Sequence, residues 1–291
     1  MTSGAKGDGD GWITLADGTY RWGRYGAAGL LLHAPGPDGR RSVLLQHRAP
    51  WSHQGDTWGL PGGAVDSGEN SVNAALREFG EEVAGELGAF EVTGVYRAGD
   101  RVWHYDSVLA AASEAAEFAP GNAESEAVRW VPLDEVPDLP LVPAFADAWP
   151  LLRSALAARL DLVVEAGPVL ERAGEAATPE RTSALRDALA GLARGGLPAG
   201  DLPAGLGLPP LHTWFPRVRL VTPVPVAPVP GVEVVADTGA TGAAGTGAGG
   251  RASVLTVTAS GGSGTVPPAW LLERAGAAAD PVAGSGRQVA L

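Results

Sequence analysis

Four glutamates and one arginine lie close together in the first third of this 291-residue chain. Seven residues separate Glu69 from Arg77, which is followed directly by Glu78 and then by Glu81 and Glu82. On a helix, side chains three and four residues apart project from the same side, so the last three glutamates would lie together. Clustered carboxylate oxygens suit Mg²⁺ or Mn²⁺, which bind through a few carboxylates together with waters and substrate phosphates. The spacing therefore predicts a divalent-metal site for phosphate chemistry.

A helix over Ser71–Val83 is predicted to carry this cluster, because apolar side chains recur there at three- and four-residue steps. The glutamates are expected on the face opposite this apolar stripe. A Pro-Gly-Gly turn that ends at Gly63 precedes the helix, and its glycines let backbone atoms approach a metal or a phosphate closely. Glu69 would lie in the loop, where Arg77 can fold back and pair with it. The stripe comprises Val72, Ala75, Leu76, Phe79 and Val83.

The alternative interpretation is a solvated acidic surface, which is the usual meaning of adjacent glutamates such as Glu81 and Glu82. Like charges at this spacing lower helix stability, and so does Gly80 between them. Bound cations would offset the repulsion. The upstream turn and Arg77, at fixed distances from the glutamates, favour a binding site.

The pattern from Gly63 through Glu69 and Arg77 to Glu82, with Phe79 at its apolar position, resembles the Nudix box of hydrolases that act on a nucleoside diphosphate linked to another moiety. The resemblance implies an α/β fold over residues 1–160, a Nudix α/β/α sandwich with a mixed sheet. It also implies a Mg²⁺ (or Mn²⁺) cofactor and hydrolysis of a diphosphate bond by metal-assisted attack of water. Activity is therefore expected to require a divalent cation.

The resemblance assigns metal ligation to the glutamates of the predicted helix, Glu78, Glu81 and Glu82. The backbone carbonyl of a loop glycine often joins such ligands, and the expected positions are Gly62 and Gly63. Together with water and phosphate oxygens, these groups would complete the coordination of a hard cation.

The same resemblance makes Arg77 the orienting partner of Glu69, and the expected catalytic group is Glu78, Glu81, Arg77 and Glu69. A further acidic residue from a later loop often completes such a site. Glu124 and Glu126 are the candidates, and Glu126 is assigned to the metal ligands. Exposed loop charge is the alternative interpretation of both residues.

Substrate contacts are expected from Arg48 and Trp58, which flank the loop, and from Gly62. A lone tryptophan is also typical of a core or wall position, so both interpretations of Trp58 stay open. The segment that starts at Arg48 is similar to a coenzyme A-type Nudix signature, but the run from Gly55 to Pro61 is one residue too long for that signature. The Trp-Gly-Leu-Pro-Gly-Gly form is more similar to enzymes acting on nucleoside triphosphates or nucleotide sugars.

One position departs from the family pattern. Ala84 stands two residues beyond the final glutamate pair, where a glycine is usual. Gly85 is expected to cap the helix one residue later through a left-handed conformation. The helix end is therefore expected to shift, and metal binding to be retained.

The rest of residues 1–160 predicts strands on both sides of this helix, followed by helical stretches, which fits the sandwich. Helical stretches are predicted to start at Asp134 and to run from Ala144 to Leu160. The predicted strands are Tyr25–His33 and Ser42–Gln46, which form a hairpin, and Glu91–Tyr96 and Val102–Ala110, with a turn at Gly99 and Asp100.

Residues 161–291 predict a small α+β or partly disordered C-terminal region of unknown role. A helix is expected to start at Thr178, a cap residue followed by proline, and to end at Gly195. Residues 238–250 are almost wholly Gly, Ala and Thr and predict a flexible loop. The G-x-G-x-x-G pattern within that loop lacks the preceding tight strand and following helix of a dinucleotide site. Short strands are predicted at residues 217–226, 232–235 and 253–258.

Composition limits the partners. A net charge of −12 argues against a nucleic-acid backbone or an anionic membrane, so a small-molecule nucleotide substrate is expected. The chain has no cysteine, which excludes thiol chemistry. Its start lacks the apolar core of a secretion signal, and no apolar run reaches the roughly 18–20 residues of a membrane span, so a cytoplasmic protein is expected. A homodimer is left open.

Two functions from different classes remain. The first is a Mg²⁺-dependent Nudix hydrolase, and the alternative is a nucleotide-sensing Nudix regulatory protein without turnover. The complete set of glutamates favours the enzyme, since a sensor has no need of them. Neither a basic helix-turn-helix nor the Arg-His-Gly motif of a fused histidine phosphatase is found. The substrate classes, in order of preference, are a nucleoside triphosphate such as 8-oxo-dGTP, ADP-ribose, a nucleotide sugar and a dinucleoside polyphosphate.

Overall fold

The structure is a computed structural model that describes residues 7–36, 38–236 and 251–278. The described residues divide into two compact units, one ending at Leu156 and the other beginning at Ala157. The flexible loop predicted at residues 238–250, with its glycine pattern, lies outside the described residues. None of the helices in the described ranges has the length and apolar character needed to cross a bilayer.

The first unit is a mixed sheet with helices packed on it, which confirms the α/β class expected from the sequence. Its elements in chain order are β1 Trp12–Thr14, β2 Tyr20–Trp22, β3 Ala27–Pro35, β4 Arg41–Arg48, β5 Trp58–Gly59, β6 Gly62–Ala64, α1 Ser71–Glu82, β7 Val83–Ala84, β8 Phe90–Gly99, β9 His104–Ala112, β10 Ala119–Pro120, β11 Ser125–Pro132 and α2 Pro143–Ala155. The predicted hairpin corresponds to β3 and β4, and the two further predicted strands correspond to β8 and β9.

The central sheet of this unit has the order β11-β4-β3-β9-β8, with β5 beside β4 and β6 beside β3. β3 runs parallel to β9 and antiparallel to its other partners. Leu30, Leu31 and Leu32 of β3 are all buried, as expected for a central strand covered on both faces. β3 therefore lies at the core of the unit. β6, which contains the glycines of the turn, pairs with β3.

The C-terminal end of α1 differs from the expectation for Gly85. The helix ends at Glu82, and Val83 is already extended, with φ −123°. Val83 and Ala84 form β7 and pair with β10, so strand pairing ends the helix where a glycine cap was expected. Gly85 has φ +138°, which is outside the left-handed helical conformation predicted for it. The backbone N–H of Gly121 donates to the Glu82 carbonyl at 2.8 Å and satisfies one terminal group of the helix.

The helical stretch predicted over residues 144–160 is too long. α2 ends at Ala155, and the next element is a strand that begins at Ala158. Leu160, Leu162 and Val164 are buried at alternate positions, the period of a strand, and the strand pairs on both edges. The stretch predicted to start at Asp134 is only a 3-10 turn, Val136–Asp138.

The second unit contains a five-stranded sheet whose strands all run parallel. The sheet order is β16-β15-β12-β17-β18, whereas the sequence indicated an α+β or partly disordered region. Thr178 caps α4 as predicted, by accepting a hydrogen bond from the Arg181 N–H. The elements are β12 Ala158–Glu165, α3 Ala166–Arg172, α4 Pro179–Gly195, β13 Leu197–Pro198, β14 Thr213–Trp214, β15 Arg217–Thr222, β16 Val232–Ala236, β17 Arg251–Val257, β18 Thr265–Val266 and α5 Pro268–Ala278.

Candidate active site

The start of α1 is fixed by two side-chain contacts. Asn70 caps the helix by accepting a hydrogen bond from the Asn73 N–H at 2.9 Å. The Ser71 hydroxyl donates to the carboxylate of Asp106, a fully buried residue of β9. Arg97 of β8 binds the same carboxylate through two nitrogens, at 2.8 and 2.7 Å. The first turn of α1 is therefore joined to the central sheet.

The glutamates of α1 do not share one solvated face. Glu82 is 5 % exposed and the Glu78 side chain 14 %, whereas the Glu81 side chain is 58 % exposed. The buried side of α1 includes Ala74 and Ala75, whose small side chains let the helix lie close to the sheet. The prediction that all three glutamates point away from the buried face is therefore wrong for Glu82. Glu78 is partly buried, and the solvated interpretation fits Glu81.

Arg77 connects the loop to the helix. Its guanidinium donates to both carboxylate oxygens of Glu69, at 3.2 and 2.9 Å, so the predicted pairing is present. It also donates to Glu78 at 2.7 Å and to the backbone carbonyl of Ala64 at 2.8 Å, and lies 3.6 Å from Glu81. The guanidinium of Arg77 thus binds two carboxylates and the carbonyl at the end of β6. Its planar arrangement of several N–H donors suits such multiple contacts.

Replacement of Arg77 by Lys is expected to lower kcat/KM by about 10-fold to 100-fold, because one ammonium cannot make the paired contacts to Glu69 and Glu78 together. The measurement is steady-state hydrolysis at saturating Mg²⁺. Arg101, an exposed arginine in the turn between β8 and β9, provides the control Arg101→Lys, which should leave kcat/KM unchanged. Equal rates for wild type and Arg77→Lys would contradict an orienting role.

Glu82 is a buried carboxylate whose pKa is strongly perturbed. Burial raises its pKa to about 7, although the Gly62 N–H, which donates to it at 2.7 Å, acts in the opposite direction. The charge of Glu78 raises the pKa of Glu82 further, and a hydrogen bond from Gln46 lowers it. Burial also raises the pKa of Glu78, against the effect of Arg77. Both carboxylates would therefore be stabilised in their charged forms by a nearby cation.

The glycines of the turn allow close packing against these carboxylates. A Cβ atom on Gly63 would lie 2.5 Å from the Glu78 carboxylate carbon, and one on Gly62 would collide with the backbone of β3. Any larger residue would displace Glu78 or separate β6 from β3. Gly62 therefore lies beside Glu82, and Gly63 beside Glu78.

The donor set fits a hard divalent cation. The carboxylates of Glu78 and Glu82, whose pKa values are raised, and the carbonyls of a glycine turn offer only oxygen ligands, which Mg²⁺ and Mn²⁺ prefer. The buried side-chain oxygen of Gln46, next to Glu82, has no hydrogen-bond partner among the described residues. This oxygen is free to accept a hydrogen bond from a ligand or a water.

Glu126 lies beside His47 and Asp56. Its carboxylate lies 3.4 Å from Nδ1 of His47, and with Asp56 these two residues form a group whose ligand atoms lie within 4.8 Å of one another. His47 and Gln46 are neighbours on β4 and therefore face opposite sides of the sheet. In the described part of the chain, no hydrogen bond or ion pair joins the side chain of Glu126 or Glu124 to Glu78 or Glu82.

Arg48 and Trp58 have different surroundings. Arg48 is two residues from Gln46 on β4 and therefore lies on the same side of the sheet, while its Nε donates to the His53 carbonyl at 2.9 Å. Trp58 is 7 % exposed, with the His47 ring stacked 4.8 Å away and the Arg129 guanidinium 4.4 Å from its ring. Trp58 thus occupies a core position in this structure, the alternative that the sequence left open.

Three residues near the site were not found from the sequence. Gln46 could have been recognised as one polar residue in an apolar strand, and it donates to Ser125 at 2.6 Å beside Glu82. The hydroxyl of Tyr105 lies over Gly29, and burial followed by the charge of Glu82 raises the pKa of Tyr105. Asp10 precedes the first strand, and its charge contributes to the raised pKa of Glu78. No local pattern predicted the last two contacts, because each depends on chain-distant packing.

The mixed sheet, the glycine turn and the helix that carries Glu78 and Glu82 fit the Nudix resemblance, and comparison with known proteins identifies the family. The sequence matches the NUDIX domain over residues 25–153. It is 52 % identical over 159 residues to a Mycobacterium tuberculosis protein named "Putative 8-oxo-dGTP diphosphatase 3", covering 52 % of this chain and 71 % of that protein. The chain therefore belongs to the Nudix family and is a Nudix hydrolase.

Two further relatives each match about half of the chain. A Bifidobacterium longum nucleoside triphosphate pyrophosphatase/Nudix hydrolase fusion protein is 41 % identical over 157 residues, covering 53 % of this chain and 32 % of that protein. The crystal structure of RenU, a Nudix hydrolase from M. smegmatis, is 48 % identical with a TM-score of 0.47, covering 50 % of this chain and 93 % of RenU. These matches account for about half of this chain.

Proposed function

We propose that this protein is a divalent-metal-dependent pyrophosphohydrolase of an oxidised purine nucleoside triphosphate such as 8-oxo-dGTP. The observation that carries the proposal is the buried carboxylate of Glu82 beside the partly buried carboxylate of Glu78, both packed against a glycine turn, with Glu78 bound by Arg77. Such a pair is costly without a cation and suits one that also binds phosphate oxygens. The substrate class is supported by the name of the M. tuberculosis relative.

Glu78, Glu81, Glu82 and the carbonyl of Gly63 would hold Mg²⁺ or Mn²⁺. Bound there, the cation would neutralise negative charge on the phosphoryl oxygens. Arg77 keeps Glu69 and Glu78 oriented. Water would add to phosphorus and pyrophosphate would leave, which converts the triphosphate into a monophosphate.

We assign this activity to residues 1–160 and no catalytic role to residues 161–291. Arg48, on the side of β4 that faces Glu82, would contact a phosphate of the substrate. Trp58 is buried and stacks on His47, so we assign a substrate contact to the backbone of Gly62 and none to the Trp58 ring. ADP-ribose, nucleotide sugars and dinucleoside polyphosphates are the competing substrates that a comparison of turnover must separate.

Release of pyrophosphate from 8-oxo-dGTP is expected with Mg²⁺ or Mn²⁺ and is expected to vanish with excess chelator, because Glu78 and Glu82 would face the substrate phosphates unneutralised. The measurement is pyrophosphate and monophosphate production from 8-oxo-dGTP, dGTP, ADP-ribose and diadenosine polyphosphates. Turnover that survives the chelator would sink the metal assignment. A higher kcat/KM for ADP-ribose than for 8-oxo-dGTP would make ADP-ribose the preferred substrate. Nucleotide binding without any turnover would favour the alternative function, a nucleotide-sensing regulatory protein.

A further inference from the structure

The segment before β1 lies against the loop that carries Glu69. We call residues 7–11 the strap and residues 65–69 the box loop. Asp8 of the strap accepts a hydrogen bond from the Ser67 N–H at 2.8 Å and another from the Ser67 hydroxyl. The Gly9 N–H in turn donates to the Asp66 carboxylate at 2.8 Å. The two segments thus exchange hydrogen bonds in both directions, although 57 to 59 residues separate them in sequence.

The strap is itself fixed to the region before β3. The carbonyl of Gly9 accepts a hydrogen bond from the Arg24 N–H at 2.8 Å, and the carbonyl of Gly11 accepts one from the Gly23 N–H at 2.9 Å. The strap is therefore hydrogen-bonded both to residues 23 and 24 and to the box loop, so it can hold the box loop in one position.

The glycines of the strap allow this close approach. A Cβ atom on Gly9 would collide with the Val65 carbonyl oxygen, and one on Gly7 would collide with the Asp66 carboxylate. The alternation of glycine with Asp8 and Asp10 therefore matches the contacts, since glycines lie where the backbones meet and Asp8 lies where donors need an acceptor.

The box loop connects the strap to the catalytic side chains. The Asp66 N–H donates to the Glu69 carboxylate at 3.1 Å, and the Glu69 N–H donates to the Asp66 carbonyl at 3.1 Å. Glu69 then accepts both hydrogen bonds from Arg77, which binds Glu78. A continuous series of hydrogen bonds thus runs from the strap to a glutamate proposed to bind the metal.

We propose that the strap is a positioning element of the active site, in which Asp8 and Gly9 hold the box loop so that Glu69 orients Arg77 and Glu78. The inference rests on the proposed function. Asp8 lies outside the family pattern between Gly63 and Glu82. It also lies before residue 25, where the match to the NUDIX domain begins. Asp8 acts through the loop and does not touch the reacting atoms.

The test compares Asp8→Ala and Asp8→Asn with the matched control Asp17→Ala. Asp17 is an exposed aspartate of the same region that also accepts from a backbone N–H, at 2.9 Å, and from a hydroxyl, at 2.7 Å, but both belong to Thr19 in its own turn. All three changes remove one negative charge. Asp8→Asn keeps an oxygen acceptor for the Ser67 N–H, so it reports on partial rescue.

Three quantities are measured: the Mg²⁺ concentration for half-maximal turnover, the Mn²⁺ dissociation constant without substrate, and the melting temperature. Asp8→Ala is expected to raise the first two by about 10-fold, since losing a partner that orients a metal ligand costs about 10-fold to 100-fold in affinity or activity. Asp8→Asn should fall between wild type and Asp8→Ala. Asp17→Ala should match wild type in all three.

Metal constants for Asp8→Ala that equal those of Asp17→Ala would overturn the positioning role, whatever the melting temperatures. If wild type releases no pyrophosphate yet binds Mn²⁺, the proposed function fails. The positioning role of the strap is then tested by the Mn²⁺ dissociation constants alone. A weaker Mn²⁺ complex in Asp8→Ala would then still support it. The two proposals can therefore fail separately.

Discussion

Replacement of Glu82 by Gln is expected to abolish most turnover and to stabilise the metal-free protein at pH 8. Gln keeps the size of the side chain but loses the charge that the cation requires. Turnover should fall by more than about 100-fold, since removing even a partner that only orients a metal ligand costs about 10-fold to 100-fold. Stability should rise because Glu82 is 5 % exposed and its charged form is disfavoured by burial and by Glu78.

The pH dependence of stability follows from the same perturbation. The folded pKa of Glu82 is about 7, above the unfolded value of 4.5, so the folded state binds this proton more tightly. The contribution of Glu82 to stability is therefore fully present below about pH 4.5 and is lost as the pH rises through 7. The loss is about 3 kcal/mol, from a shift of roughly two and a half pKa units.

Denaturant unfolding at pH 5 and pH 8, in the presence of chelator, measures this loss. Wild type should lose more stability between the two pH values than Glu82→Gln. Mg²⁺ should restore stability to wild type at pH 8 and have little effect on the variant, since binding to the folded state alone stabilises it. Glu81→Gln is the control, because that side chain is 58 % exposed. A variant and a wild type with the same pH dependence would show that Glu82 is not the titrating group.

The sequence predicted the local elements of the site and the ion pair that joins them. A helix start near Ser71, a glycine turn at Gly63 and a contact between Arg77 and Glu69 each depend on residues within about twenty positions of one another. Periodicity and turn chemistry act over that range, so a pattern could express them. The central strands were found for the same reason.

Features that depend on chain-distant packing were not predicted. The burial of Glu82 depends on how closely Ala74 and Ala75 bring α1 to the sheet, and the end of α1 depends on pairing between β7 and β10. The helix predicted to end at Leu160 includes the first residues of β12, because apolar residues there suit either period until both strand partners are present. The strap could not be inferred, since its acceptors lie nearly sixty residues from their donors.

Replacement of Arg97 by Met is expected to destabilise the protein by about 3 to 5 kcal/mol, because it leaves a buried carboxylate without its cation. Asp106 is fully buried and receives two hydrogen bonds from Arg97, while its nearest other basic group is His104, 3.8 Å away. The measurement is the free energy of unfolding in urea at neutral pH. A loss below about 1 kcal/mol would mean that Asp106 does not carry an uncompensated charge in the variant.

The double variant Arg97→Met/Asp106→Asn separates the charge from the packing. Removing both charges should recover a large part of the lost stability, because a neutral amide in the same place has a much smaller desolvation penalty than an unpaired carboxylate. Full recovery is not expected, since a neutral amide accepts a weaker hydrogen bond from the Ser71 hydroxyl than the Asp106 carboxylate does, and this bond positions the first turn of α1. Turnover should therefore stay below wild type in the double variant even where unfolding does not limit it, because Glu78 and Glu82 depend on the placement of that helix.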